Sequence, residues 1–85
     1  MDKRTEIKRD VKVGQIYKEK QLPEWRKYDC DTFVITHTNY QSTDVIYKDG
    51  TVDHIGKYFI DNDCEFIIGY STWQEAVNSK EFKNE

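Results

Sequence analysis

The chain is short of cysteine, proline, basic charge and long apolar runs, and each shortage excludes something. The two cysteines, Cys30 and Cys64, match no metal-ligand spacing. With no export signal, they predict two buried, reduced thiols; a disulfide would need both strand ends to meet under oxidation. The single proline, Pro23, rules out a central strand where it stands. No apolar run approaches the roughly 20 residues that span a bilayer. The first ten residues are charged but no apolar segment follows, which excludes a secretory leader and predicts a cytoplasmic location. The formal charge is −3 and the pI about 5.4, so the chain as a whole repels nucleic acid at long range. There are no internal repeats and no low-complexity tracts.

What is present is aromatic. Six Tyr, four Phe and two Trp in 85 residues are too many large apolar groups for a disordered chain. One domain is the expectation. With 34% charged and 36% hydrophobic residues its core is modest, and its stability should be only a few kcal/mol. Charge is uneven: residues 1–27 carry nine Lys/Arg and five Asp/Glu, net +4, and residues 28–85 carry four and eleven, net −7.

The pattern is mainly β. Residues 1–10 offer one useful apolar anchor, Ile7, and read as a charged, mobile arm. Residues 11–18 alternate as a first strand, with a phase slip at Gly14 that signals a bulge or bend. Residues 19–29 form a long polar loop containing Leu22, Trp25 and Tyr28; Trp25 either closes one end of the fold or stands in a binding surface. Residues 31–38 form a second strand, with Phe33, Ile35 and His37 on one face. Asp49-Gly50 marks a hairpin. A two-residue loop there sets Tyr47 opposite Val52, Val45 opposite His54 and Ile46 opposite Asp53.

Residues 56–60 fit either a helical turn or a strand. In the last strand Cys64, Phe66, Ile68 and Tyr70 should face the core. Ile67, on the outer face, calls for a cover. A C-terminal helix over residues 72–85 supplies it: Thr72 and Glu75 fit a capping box, and Trp73, Ala76, Val77 and Lys80 fall on one stripe. Phe82 lies off that stripe, so it sits beyond the helix end or on a partner. Residues 11–71 would then be the β unit.

Candidate chemistry is sparse. His37 and His54 with Cys30 or Cys64 would need a depressed thiol pKa, a pocket and an orienting group to act as a nucleophile pair, and nothing in the sequence supplies these. Asp61-x-Asp63-x-Glu65 opens like a calcium loop but has Phe66 and Thr72 where Gly and a bidentate Glu are required. No enzyme, metal or cofactor is expected. Protein binding leads: Trp25, Tyr28, Tyr40 and Tyr58 sit in loops or turns, and aromatic anchors inside a charged rim are typical of binding hot spots. The alternative is nucleic acid, through the interleaved Trp25-Arg26-Lys27-Tyr28 and the N-terminal arm.

The run Val11-Lys12-Val13-Gly14-Gln15-Ile16-Tyr17, a long loop, Thr32-Phe33-Val34-Ile35-Thr36, the Asp49-Gly50 hairpin and the strand Cys64-Glu65-Phe66-Ile67-Ile68 together resemble an SH3-like small barrel over residues 11–70. The Val-x-Val-Gly-Gln-Ile-Tyr opening also resembles small proteins encoded by bacteriophages and mobile elements of Gram-positive bacteria. The resemblance implies an SH3-like antiparallel barrel or bent sheet with one C-terminal helix. It also implies a small binding module acting on a host or phage protein, for instance by inhibiting a defence or replication enzyme.

Overall fold

The structure is a computed structural model that describes residues 11–20 and 31–83. The N-terminal arm, Trp25, Arg26, Lys27, Tyr28 and Cys30 lie outside the described residues, and with them the expectations placed there. Five antiparallel strands make one sheet: β1 (Gln15–Glu19), β2 (Thr32–Thr38), β3 (Ser42–Tyr47), β4 (Val52–Gly56) and β5 (Cys64–Gly69), in the order β4-β3-β2-β1-β5. A short helix, α1 (Lys57–Asp63), links β4 to β5, and α2 (Trp73–Val77) and α3 (Lys80–Lys83) follow. The mainly β expectation holds in its open form. The sheet is not closed into a barrel, because β4 and β5 are its two edges. Two helical turns replace the one C-terminal helix expected.

The sheet is covered on both faces, which explains why Phe33, Val34 and Ile35 are all fully buried despite pointing alternately. The first face carries Tyr17, Phe33, Ile35, Val45, Tyr47 and Cys64, capped by Val11 and by Ile60 of α1. Its aromatic rings run from strand to strand: Tyr17 stacks on Phe33 with centroids 6.0 Å apart, and Phe33 meets Tyr47 edge-on at 5.5 Å. The second face carries Ile16 and Val34 under Ala76 of α2 and Phe82 of α3.

Gly14 makes the bend that the phase slip announces. Its φ is +93°, and a Cβ there would collide with the carbonyl oxygen of Tyr70. Its backbone ties three segments: Gly14 N–H donates to the Ile35 carbonyl at 2.9 Å, and its own carbonyl accepts from Tyr70 N–H at 3.0 Å.

Two registers differ from the sequence expectation. The β3–β4 hairpin pairs Ile46 with Val52, Val45 with Asp53 and Asp44 with His54. The loop is therefore three residues, 48–50, closed by Gly50 N–H to the Tyr47 carbonyl at 2.9 Å, with Gly50 at φ +91°. A turn followed by a left-handed glycine satisfies the same Asp-Gly signal as a two-residue loop, and the one-residue slip moves every β4 side chain to the other face. In β5 the pairing with β1 shifts between Ile16 and Tyr17: Tyr17 pairs with Phe66 but Ile16 with Ile68. The extra residue, Ile67, is a bulge. It splits the expected inward set, leaving Cys64 and Phe66 on the first face and Ile68 and Tyr70 on the second.

The capping box at α2 is formed as read: Glu75 N–H donates to Thr72 Oγ1 at 3.1 Å, and Thr72 N–H to Glu75 Oε1 at 3.3 Å. Phe82 is buried within the chain on α3, which answers the question its off-stripe position raised.

Candidate protein-interaction surface

Tyr40 and Tyr58 come to one corner of the sheet although 18 positions separate them in sequence. Tyr40 sits at the tip of the β2–β3 turn. Asn39 builds that turn: its Oδ1 accepts from Gln41 N–H at 3.1 Å and from Ser42 N–H at 3.0 Å. Tyr58 is the second residue of α1. This helix starts at Gly56, which has no side chain to cap it; instead Lys57 N–H donates to the Gln41 carbonyl at 3.1 Å. That one bond staples the helix start to the turn, and the two tyrosines are the neighbours of its two ends. Tyr40 is 88% exposed and Tyr58 46% exposed, so both rings are displayed from a braced backbone.

The corner is braced from behind. Thr43 is buried and its hydroxyl donates to the Ile55 carbonyl at 3.0 Å, fixing β3 against β4. Beside it Asp44 and His54 form a cross-strand pair, Oδ1 to Nδ1 2.6 Å, with both side chains open to solvent. Asp53 accepts from His54 N–H at 2.7 Å, so a carboxylate occupies a backbone donor of the edge strand. Such a charge on an edge discourages strand addition there.

Among the described residues, three further large apolar side chains are exposed, and they are ones the sequence placed inward or under cover. Val52 is 68% exposed because the hairpin slip takes it away from Tyr47. Phe66, 44% exposed, meets Tyr17 in a T-shaped contact with ring centroids 5.6 Å apart. Ile67 is 40% exposed: the C-terminal helices pack on Ile16 and Val34 instead. The slip in register and the bulge carry no residue-type marker, so only the exposed aromatics next to turn residues were readable beforehand.

The chemistry weighed from sequence is dispersed. His37 is exposed near the end of β2, His54 is exposed on β4, and Cys64 is buried in the first-face core. Among the described residues no three His, Cys, Asp or Glu side chains are grouped so as to hold a metal ion, and no helix is long and apolar enough to cross a membrane. Asp61 and Asp63 belong to α1 and Glu65 to β5. No protein-family model, no curated protein and no solved structure matches this chain.

Proposed function

We propose that this chain is a small non-enzymatic protein-binding module that engages its partner through the Tyr40–Tyr58 corner. The observation that carries the reading is the pairing of two exposed tyrosines on backbone fixed by the Gln41–Lys57 bond. Rigid aromatic anchors lose little conformational entropy on docking and contribute a disproportionate share of interface energy. Asp44, in its pair with His54, stands beside the corner, and a basic group on the partner would complement it. The SH3-like kinship and the phage or mobile-element origin belong to this same reading, with a cytoplasmic host or phage protein as the target.

The test is capture from nuclease-treated bacterial lysate with the tagged protein and with a Tyr40→Ala/Tyr58→Ala variant side by side. A protein that survives nuclease and is lost with the variant, at unchanged thermal midpoint, supports the reading. Capture that disappears with nuclease instead favours nucleic acid through Arg26 and Lys27. Capture that ignores the double substitution moves the interface away from this corner.

A further inference from the structure

The two C-terminal helical turns are held to the sheet by very different means. α2 has its capping box, a fully buried Ala76, and Trp73 and Val77 packed against the second-face core. α3 is four residues long, and only Phe82 of it is buried. A single turn has no stability of its own, since helix nucleation is unfavourable and four residues offer no propagation. Its internal bonds are Phe82 N–H and Lys83 N–H to the Ser79 carbonyl, at 3.2 and 2.9 Å. Beside the Phe82 ring, and among the described residues, a side-chain tie to the segment after β5 is an exposed hydrogen bond from the Tyr70 hydroxyl to Glu81 Oε1, 2.5 Å. The elbow between the helices faces solvent: Tyr70, Glu75, Asn78, Ser79 and Glu81 border a shallow, open surface groove there.

We propose that α3 is a latch that undocks from the sheet as a unit, turning about Asn78 and Ser79, while the sheet and α2 remain folded. Phe82 is the plug and Tyr70–Glu81 the catch. Undocking removes the Phe82 ring from Val34 of β2, beside half-buried Ile46, and so opens part of the apolar second face, while Ala76, Trp73 and Val77 of α2 stay packed on it next to Ile16. The surface is distinct from the tyrosine corner and does not depend on it. Elements with few buried apolar contacts open at lower free energy than the global transition, which is the thermodynamic meaning of a latch.

Amide hydrogen exchange of the full chain at neutral pH, read residue by residue by NMR, tests this. The expected result is exchange of Phe82 and Lys83 amides at least about tenfold faster than the buried amides of β2, after correction for intrinsic rates. Tyr70→Phe should speed exchange roughly two- to fivefold at residues 80–83 and leave β2 unchanged. Phe82→Ala can remove no more than the docking equilibrium. Its fold-change in the global unfolding constant should therefore not exceed the wild-type protection factor of the Phe82 amide. Exchange of α3 and β2 at a common rate overturns the proposal. So does a global shift in Phe82→Ala larger than that protection factor, or a Tyr70→Phe effect spread over the whole sheet.

Discussion

Tyr47 on β3 donates its hydroxyl to Oε2 of Glu19 on β1 at 2.8 Å, spanning the intervening strand β2 inside the protein. Glu19 is 2% exposed and Tyr47 fully buried, so a carboxylate in the core is met by a phenol carried 28 residues further along the chain. A buried acceptor that loses a donor keeps its desolvation penalty without that compensation. Tyr47→Phe, which preserves the ring against Phe33, should therefore destabilise the fold by about 1–3 kcal/mol. Urea unfolding with an unchanged slope and a lowered midpoint is the expected signature. An unchanged midpoint would mean the hydroxyl is dispensable.

The two left-handed glycines should respond unequally to the same substitution. Around Gly50 there is open space, so Gly50→Ala meets only the backbone penalty of a left-handed L-residue, about 1–2 kcal/mol. At Gly14 the same penalty is joined by a collision with the Tyr70 carbonyl, which is backbone and cannot swing aside. Gly14→Ala should cost about 3 kcal/mol or more. Denaturant midpoints of the two variants, measured together, check the order. If Gly50→Ala proved the worse, the Gly14–Tyr70 approach would not be the constraint described.

Gly14 and the Thr72–Glu75 capping box were legible because each signal is local: a phase slip at a glycine, and two residue types three apart. The hairpin's place was legible for the same reason, but its register was not. Asp49-Gly50 fits both a two-residue loop and a three-residue loop ending in a left-handed glycine, and the two differ in which β4 residues share the first face: the observed register packs Ile55 there, a tertiary contact the turn itself does not announce. The β5 alternation misled because a bulge at Ile67 reverses the face without changing the composition. Phe82 could not be placed from a helical wheel because the chain breaks helix at Asn78 and Ser79 and restarts. At the candidate surface, Tyr40 and Tyr58 were visible one by one beside turn residues, but their convergence depends on a backbone bond that no residue type announces.

Acid should weaken the Tyr70–Glu81 contact. The Tyr70 hydrogen bond, aided by Glu81's own backbone hydrogen bond and nearby Lys80, holds the Glu81 carboxyl below its ordinary value. The same bond to Glu81 raises the Tyr70 hydroxyl, and the neighbouring Ser79 partly offsets it. A carboxyl depressed in the folded state contributes stability above its unfolded pKa and loses it as pH falls through the folded value. For a raised tyrosine the contribution is present below its unfolded pKa and is lost as pH rises through the folded one. Wild type should thus exceed Glu81→Gln in thermal midpoint at neutral pH, with the gap closing below the carboxylate range. The effect is small because both groups face solvent, and it should shrink further in high salt. A gap that stays constant with pH would remove the carboxylate from the contact.

Substitution at the tyrosine corner should separate binding from folding. Tyr40 is 88% exposed and contributes little to the core, so Tyr40→Ala should change stability by no more than about 0.5 kcal/mol. Tyr58, roughly half covered, should cost about 1 kcal/mol when truncated, from the half of its surface that is buried. Against a captured partner, each truncation should cost more than it does in folding, on the order of 2 kcal/mol for a true hot spot. Because the two residues flank one backbone bond, their binding losses should not add independently; a double-mutant cycle should show a coupling of about 0.5 kcal/mol or more. Titration calorimetry with the four combinations measures it. Strict additivity would place the two rings in separate pockets of the partner, and losses no larger than the folding costs would remove the corner from the interface altogether.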